Sequence, residues 1–352
     1  MTKKQALVHL DLEVLGEGDY TLLNEIIDPN GKQITQSSKS ISLNGKEKLS
    51  EDFKVTKPQL WDIKTPHLYK LKTSILKNGN LVDSYITNFG IRSIRFELDG
   101  FYLNDKKTRF KGVNMHHDFG PVGAAFHKEL FVRQMKKMKD MGVNAIRFSH
   151  NPPPAPEALD ICDEMGILAI DEAFDEWQLG KVLNGYSKQF DLWAKKDLSD
   201  MILRDRNHPS IVMWSIGNEI MEQYQHDPNN ITAYLNDIVK TLDTTRATTA
   251  GFNSANNALE SGMAATVDVA GFNYKPGGIY HKIREHYPNL KFYASETGGA
   301  LSTRNSYKFP VVFDTLQNKR GTSVNTELYA DGQPGNYENT NVPWGVMHHT
   351  KN

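Results

Sequence analysis

Two glutamates in this sequence stand at the ends of short apolar runs. Glu219 ends the run WSIGNE (214–219), and Glu296 ends the run FYASE (292–296). Both runs have the length and composition of buried strands, so in a barrel or a parallel sheet their carboxyl ends would share one rim. Cleavage of a glycosidic bond needs one carboxylic acid to protonate the leaving oxygen and one carboxylate on the other side of the anomeric carbon. The two glutamates fit that chemistry, and a separation of roughly 5 to 5.5 Å would retain the anomeric configuration.

Histidines and an arginine accompany two other candidate strands. His116 follows the strand-like run that ends at 114, while Arg147 and His150 lie within and after the next such run. The histidines are predicted either to bind sugar hydroxyls or to have a satisfied structural role. Arg147 could steady an ionised Glu296 through a charge-assisted hydrogen bond.

Three further residues are candidates for contacts at this rim. Asn218, directly before Glu219, could donate to the 2-hydroxyl of a sugar, a bond that strengthens in the transition state, or it could simply form a turn. Tyr274 ends another strand-like run and could either hydrogen-bond Glu296 or pack as an ordinary aromatic. Trp177 could offer its aromatic face to a sugar ring, whereas acidic loops like the one around it are often only solvated.

No metal site or organic cofactor is predicted from these residues. His116, His117 and Asp118 are consecutive, and neighbours on an extended chain point to opposite sides, so they cannot easily share one ion. No Gly-rich phosphate loop follows any candidate strand. The formal net charge of -1 provides no single-sign field for nucleic acid or a membrane surface. The single cysteine, Cys162, excludes a disulfide framework.

The stretch after Gly90 alternates buried apolar runs with amphipathic helices, one predicted over 128–141 and another between Pro156 and Gly166. The apolar runs do not alternate in polarity, so both faces of each strand are buried, as in a parallel sheet covered by helices. A doubly wound sheet would also fit, but polar residues at the carboxyl ends of the strands favour an α/β fold of the (β/α)8 TIM-barrel type. Seven strands are predicted, at 108–114, 143–149, 167–171, 211–217, 247–252, 267–274 and 291–296.

Residues 1–90 have the pattern of an all-β module. Alternating runs predict strands at 6–14, 20–27, 68–76 and 81–89, with Asn-Gly pairs at 30–31, 44–45 and 78–79 as tight hairpin turns. We predict an immunoglobulin-like β-sandwich over 1–90, which is thin in strands and lacks a leading strand. A catalytic TIM barrel over 91–352 follows it.

No eighth barrel strand is recognisable in the sequence. The tail from Thr297 to Asn352 is rich in Asn, Thr, Gly and Tyr and offers only a short apolar run at 309–313. We therefore expect a barrel that is truncated after strand seven and its following loop. Its first and seventh strands would keep unpaired edges, which invite association, and a homo-oligomer is compatible with that expectation.

Taken together, the motifs resemble those of glycoside hydrolase family 2, the family of β-galactosidases, β-glucuronidases and β-mannosidases. The N-terminal module ends in LWDIKTPHLY (60–69), which is similar to the family's Trp-Pro-Leu-Tyr signature, before FGIR (89–92). The barrel motifs that follow the family pattern are KGVN (111–114), RFSHNP (147–152), DEA (171–173), RNHPS (206–210) and GNE (217–219). The resemblance covers nearly the whole chain, and the motifs together are highly specific.

The resemblance implies that Glu219 is the acid/base and Glu296 the nucleophile. It also implies that five residues line the subsite for the terminal sugar, namely His116, Arg147, His150, Asn218 and Tyr274. A nearby negative Glu296 would help Glu219 to keep its proton, and loss of that charge on glycosylation would let Glu219 act as a base.

The chain departs from the family pattern in three places. Nothing corresponds to the jelly-roll sugar-binding domain, and the eighth strand with its active-site tryptophan is missing, although VPWG (342–345) is similar to the long loop after strand seven. In magnesium-dependent β-galactosidases a Glu and a His two residues later bind the metal beside the acid/base, whereas Glu176 here is followed by Gln178. The absence of that imidazole argues against magnesium dependence.

The sequence thus predicts an exo-acting retaining glycosidase for a terminal β-linked sugar of an oligosaccharide or glycoside, with β-galactosidase as the first choice. β-Glucuronidase and β-mannosidase stay open, although the Asn-x-Lys pair of the glucuronidases is not recognisable after strand seven. An alternative of another class is a carbohydrate-binding fragment with impaired turnover, against which the two retained glutamates argue. No run approaches the roughly 20 apolar residues of a membrane span, so a soluble protein is expected in an unassigned compartment.

Overall fold

The computed structural model describes residues 5–150, 152–225, 229–275 and 277–297. Its strands are β1 (Gln5–Ile27), β2 (Gln33–Thr56), β3 (Tyr69–Lys77), β4 (Asn80–Phe89), β5 (Ile94–Glu97), β6 (Gly100–Leu103), β7 (Lys106–Thr108), β8 (Gly112–Met115), β9 (Ala145–Phe148), β10 (Leu168–Glu172), β11 (Ile211–Asn218), β12 (Ala247–Phe252), β13 (Val269–Asn273) and β14 (Phe292–Glu296). Its α-helices are α1 (Lys128–Asp140), α2 (Pro156–Met165), α3 (Phe190–Asp205), α4 (Asn229–Leu242), α5 (Ala255–Glu260), α6 (Met263–Thr266) and α7 (Gly277–His286). No helix among these residues is long and apolar enough to cross a membrane.

The N-terminal strands form one antiparallel sheet in the order β2-β1-β3-β4. β1 and β2 pair along almost their whole length as a single long hairpin. The strands predicted at 6–14 and 20–27 are therefore one strand. The even-numbered residues of β1 face the same side before and after Gly16, so the alternation never required the chain to turn there.

The predicted hairpin turns have different outcomes. The turn at 44–45 is wrong, because Gly45 lies inside β2 and pairs with Gly16 of β1. The turns at 30–31 and 78–79 are confirmed, since they connect β1 to β2 and β3 to β4. Asn78 and Gly79 have φ values of 51° and 79°, the left-handed pair that a two-residue turn of type I′ requires.

A small sheet that the sequence reasoning missed precedes the barrel. β5, β6 and β7 pair antiparallel in that order, so the barrel's first strand begins at Gly112 rather than at 108. Trp61, with no exposed surface, joins the N-terminal modules to the barrel. Its Nε1 donates to the carbonyl of Asp163 in α2 at 2.8 Å, and its own carbonyl accepts from Asn104 Nδ2 at 2.9 Å.

The seven parallel strands of the barrel follow chain order from β8 to β14. Every residue of β9, β10, β11 and β13 is buried, which confirms that these strands are covered on both faces, whereas the edge strands β8 and β14 are partly exposed. β8 and β14 are the two edges, and Asn114 on β8 reaches across to donate to the carbonyl of Ser295 on β14 at 3.0 Å. The described residues thus form a nearly closed TIM barrel preceded by all-β sheets. The predictions on the tail, including 309–313 and 342–345, lie outside the described residues.

Buried charges hold the amino-terminal end of the barrel. Arg92 donates to the carbonyls of Pro209 and Ile211, and Arg246 also donates to Ile211, at 2.9 Å. Burial and the nearby Arg246 charge lower the pKa of Arg92 to about 9. Asp243 offsets this repulsion by accepting from Arg246 Nη1 at 2.7 Å, so a network of hydrogen bonds connects the chain at this end of the barrel.

Candidate active site

The chain turns sharply at the carboxyl ends of β11 and β13. Glu219 and Tyr274 have φ values of 45° and 54°, in the left-handed region that side-chain-bearing residues seldom adopt. Backbone bonds stabilise both turns: Glu219 N donates to the carbonyl of Gly251, and Tyr274 N donates to the carbonyl of Glu296, each at 2.7 Å. Neighbouring strands thereby fix where the two side chains enter the barrel mouth.

Trp177 supports the strand that precedes Glu219 instead of lining the rim. Its side chain has no exposed surface, and its Nε1 donates to the carbonyl of Ile216 at 2.8 Å. A Cβ added at Gly217 would lie 2.9 to 3.0 Å from the indole ring, which explains the glycine before Asn218. The expectation that Trp177 stacks on a sugar is therefore corrected, because its ring is in the core.

Glu296 is buried, with 7% of its surface exposed. Arg147 Nη1 donates to its Oε1 at 2.8 Å, and His150 Nε2 lies 3.5 Å from the same oxygen. Burial, the charge of Glu296 and a hydrogen bond to that carboxylate raise the pKa of Tyr274 well above its ordinary value. A neutral tyrosine and a cationic arginine therefore hold the carboxyl group of Glu296.

Arg147 hydrogen-bonds three other side chains of the site. Its Nε donates to Glu172 Oε2 at 2.8 Å and its Nη2 to Asn218 Oδ1 at 2.9 Å, in addition to the bond with Glu296. Burial alone would lower the pKa of Arg147, but the charges of Glu172 and Glu296 raise it above its ordinary value. The guanidinium is only 3% exposed, so it stays charged and rigidly placed.

Glu172 is a residue that the sequence reasoning did not single out. It has no exposed surface and accepts bonds from Arg147, from His150 Nδ1 at 2.8 Å and from Ser215 Oγ at 2.6 Å. Burial alone would raise the pKa of Glu172, but Arg147, His150 and Ser215 together lower it. Glu172 therefore orients His150 with Nε2 towards the barrel mouth. Its position at the carboxyl end of β10 was the available signal.

His116 packs against His150 at the mouth, with ring centroids 4.9 Å apart and the planes nearly perpendicular. Burial and the neighbouring His150 lower the pKa of His116. Its imidazole is therefore neutral near pH 7 and can both donate to and accept from a hydroxyl group.

Both the oxygen and the nitrogen of the Asn218 side-chain amide are hydrogen-bonded. Its Oδ1 accepts from Arg147 and from Asn273 Nδ2 at 3.2 Å, while its Nδ2 donates to Asp175 Oδ1 at 2.9 Å. Lys181 Nζ holds the same Asp175 oxygen at 2.8 Å. An amide nitrogen has two N–H groups, so one remains for a ligand hydroxyl.

Two asparagines that the sequence reasoning missed contact Glu219. Asn273 Nδ2 donates to Oε1 at 2.9 Å, and Asn253 Nδ2 donates to Oε2 at 3.2 Å. Asn273 ends β13 and Asn253 directly follows β12. Their strand-end positions were again the only signal, because nothing in the local sequence separates them from turn-forming asparagines.

The residues at the positions of the family's metal site are bonded to other protein groups in this structure. The two carboxylate oxygens of Glu176 accept hydrogen bonds from backbone N–H groups, those of Lys181 at 2.6 Å and Ser187 at 2.8 Å. Gln178, in the place of the histidine, donates to Asp191 at 2.7 Å. Glu176 therefore shapes the loop after β10, and no step of the chemistry is assigned to a metal.

The structure brings most of the sequence-predicted residues together at one rim and leaves out Trp177. Those at the rim are His116, Arg147, His150, Asn218, Glu219, Tyr274 and Glu296. Chemically, the arrangement offers one carboxyl group held by an arginine and a second held by amides. The two stand at the ends of separate strands, as hydrolysis of a glycosidic bond by two carboxyl groups requires.

Comparison with known proteins agrees with this geometry. The β-galactosidase BoGH2A of Bacteroides ovatus is 37% identical to this chain, over 98% of the chain and 45% of its own length. The crystal structure of a glycosyl hydrolase family 2 member from Bacteroides cellulosilyticus superposes with a TM-score of 0.78 at 37% identity, over 86% of this chain and 39% of that one. β-Glucuronidase 2 of Bacteroides uniformis, covalently bound to a cyclophellitol-6-carboxylate aziridine, gives a TM-score of 0.78 at 26% identity, over 88% and 40%.

The chain therefore spans less than half the length of these relatives. Models of two domains match it directly. One describes glycosyl hydrolases family 2 and matches residues 2–92, and the other describes the TIM barrel domain of that family and matches residues 94–293. The chain belongs to glycosyl hydrolases family 2.

Proposed function

We propose that this chain carries the catalytic barrel of a retaining exo-glycosidase for terminal β-linked sugars, acting by double displacement. The observation that carries the proposal is the bond from Arg147 to Glu296, because a guanidinium fixes this buried carboxyl group in one orientation at the barrel mouth. Glu219 lies at the end of another strand with both oxygens facing amide N–H groups. The first carboxylate suits a nucleophile and the second an acid/base.

In the proposed reaction Glu219 protonates the leaving oxygen while Glu296 attacks the anomeric carbon and forms a glycosyl ester. Water then attacks that ester, with Glu219 taking its proton. Asn218 has one N–H left for the 2-hydroxyl, and His116 and His150 face the mouth for other hydroxyls. Tyr274 bonds the nucleophile until attack frees its hydroxyl.

We propose a β-galactoside as the preferred substrate. The support is the 37% identity to the β-galactosidase BoGH2A over 98% of this chain. A β-glucuronide is the second candidate, supported by the similar barrel of the Bacteroides uniformis β-glucuronidase. The covalent aziridine adduct of that enzyme also supports a nucleophilic mechanism.

A panel of nitrophenyl β-glycosides with NMR detection of the first-formed sugar tests the proposal. We expect the highest kcat/KM for the β-galactoside and a β-anomer as the first product. A matched Glu296→Ala variant controls for contaminating hydrolases. An α-anomer formed first would exclude double displacement, and a preference for the glucuronide would replace only the sugar assignment.

A further inference from the structure

The hydrogen-bond partners of Glu219 are themselves held in one orientation, which can be deduced from groups that only donate. Arg147 has no acceptor, so Asn218 must present its Oδ1 to Nη2 at 2.9 Å. The Asp175 carboxylate, paired with Lys181, then receives Asn218 Nδ2. Asn273 must in turn present its Nδ2 to Asn218 Oδ1, and the same nitrogen faces Glu219 Oε1 at 2.9 Å.

A second, independent series of bonds reaches the other oxygen of Glu219. The backbone N–H of Ser254 donates to Gln223 Oε1 at 3.0 Å, so Gln223 turns its Nε2 to Ile220 O at 2.9 Å and to Asn253 Oδ1 at 2.5 Å. Asn253 is left with its Nδ2 towards Glu219 Oε2, at 3.2 Å. Gln223 is 1% exposed, so water does not offer it another partner.

We propose that Asn253, oriented by Gln223, is a positioning residue that stabilises the ionised form of Glu219 and leaves Oε2 as the oxygen that carries the transferable proton. The inference rests on the proposed role of Glu219 as acid/base. Both oxygens of Glu219 face an amide N–H, but the bond from Asn273 to Oε1 is the shorter one, at 2.9 Å against 3.2 Å for the bond from Asn253 to Oε2, so a proton displaces the weaker donor when it sits on Oε2. Oε2 has the longer bond, which breaks when Glu219 is protonated and forms again when it is not.

The physical consequence is a bias towards the ionised carboxylate. A bond from a neutral donor is stronger to a carboxylate than to a neutral carboxylic acid, so it favours release of the proton. After the glycosyl ester has formed, Glu219 must be unprotonated to accept a proton from water. The Asn253 bond forms at that stage and holds Oε2 in place.

Other charged and titratable groups face Glu219 and must be kept constant in any test. Lys275 donates to the carbonyl of Asn253, and its positive charge acts on Glu219. Tyr274 lies on the other side, beside Glu296, and is influenced by both carboxylates. Replacing the side-chain amide of Asn253 alters none of these groups, because Lys275 donates to the backbone carbonyl of Asn253.

The test compares the full chain with Asn253→Leu, Gln223→Met and a control, Asn257→Leu, which lies in α5 away from Glu219. Glutamate labelled with ¹³C at the carboxyl carbon reports the titration of Glu219, whose signal is the one missing in Glu219→Gln. The pH dependence of kcat/KM for an aryl glycoside is measured on the same proteins.

We expect Asn253→Leu to shift both the Glu219 titration and the basic limb of kcat/KM upward by about one pH unit, equivalent to one charge-assisted bond. Gln223→Met should shift them in the same direction, and Asn257→Leu should not. A lower plateau with unmoved limbs, or an unmoved ¹³C titration in Asn253→Leu, would overturn the inference. If no protein hydrolyses any glycoside but the ¹³C titration shifts, the bond is supported and the proposed function fails.

Discussion

Arg147 Nη1 lies 2.8 Å from Glu296 Oε1, and the same guanidinium bonds the buried Glu172. When both carboxyl groups are ionised, two negative charges and one guanidinium leave this part of the barrel with a net negative charge. The transition state of glycoside hydrolysis resembles an oxocarbenium ion, so that excess negative charge would favour it electrostatically. Under the proposed function, Arg147 thus orients the nucleophile without cancelling its negative charge.

Replacing Arg147 tests how much its bonds to Glu172 and Glu296 stabilise the fold. Arg147→Met should lower the free energy of unfolding by about 3 to 5 kcal/mol, because it leaves Glu172 and Glu296 buried without a cation. Urea unfolding measures the loss. The matched control is Arg95→Met at an exposed site whose partners are Glu97 and Asp105, where we expect a change of about 0 to 1 kcal/mol. Equal losses of unfolding free energy for the two variants would contradict the inferred stabilising role of Arg147.

Removing the proton of the acid/base should affect substrates unequally. Glu219→Gln should slow hydrolysis of alkyl glycosides by about 10²- to 10⁴-fold but slow the glycosylation step of nitrophenyl glycosides far less, since good leaving groups need little protonation. Pre-steady-state kinetics with both classes gives the two rates. The assignment of Glu219 fails if both classes lose the same factor.

The glycine before the Asn218-Glu219 pair should tolerate no side chain. Gly217→Ala places a Cβ 2.9 to 3.0 Å from the ring of Trp177, so we expect a loss of about 1 to 3 kcal/mol from overpacking. The matched control is Gly278→Ala in α7, where nothing lies within 4 Å and a helical alanine should stabilise by up to about 1 kcal/mol. Thermal unfolding of both variants decides the question, and a neutral Gly217→Ala would show that the contact is loose.

A histidine outside the catalytic rim should make stability depend on pH. Burial alone would lower the pKa of His208, but its bond with Asp163 at 2.6 Å and the charges of Asp163 and Asp160 raise it above 6.5. A raised pKa in the folded state stabilises fully below the unfolded pKa, and this stabilisation is lost as the pH rises through the folded pKa. His208→Gln should therefore destabilise more at pH 6 than at pH 9 in urea unfolding. The same loss at both pH values would contradict the pairing.

Much of the barrel could be predicted because its strands are uninterrupted apolar runs with polar residues at their carboxyl ends. The same logic located Glu219, Glu296, Arg147 and His150 at one rim. It failed for Trp177, since an aromatic beside acidic residues looks the same in a loop and in a core. It failed for the length of β1, since two glycines do not have to turn the chain when the apolar face continues.

The contacts of Glu219 could not be predicted for a different reason. Asn253 and Asn273 are separated from it by 34 and 54 residues, and each amide is oriented by a distant residue, Gln223 for Asn253 and Asn218 for Asn273. Local sequence carries no information on how these side-chain amides are oriented. Only the register of β11, β12 and β13 places these side chains side by side.

The most direct measurement of the central claim is covalent trapping of the nucleophile. A 2-fluoro β-glycoside slows hydrolysis of the glycosyl ester, so incubation followed by proteolysis and mass spectrometry locates the labelled residue. We predict one sugar per chain, attached to Glu296, and no label in Glu296→Gln. A sugar attached to any other residue, or turnover with inversion of the anomeric configuration, would contradict the assignment of Glu296 and with it the proposed mechanism.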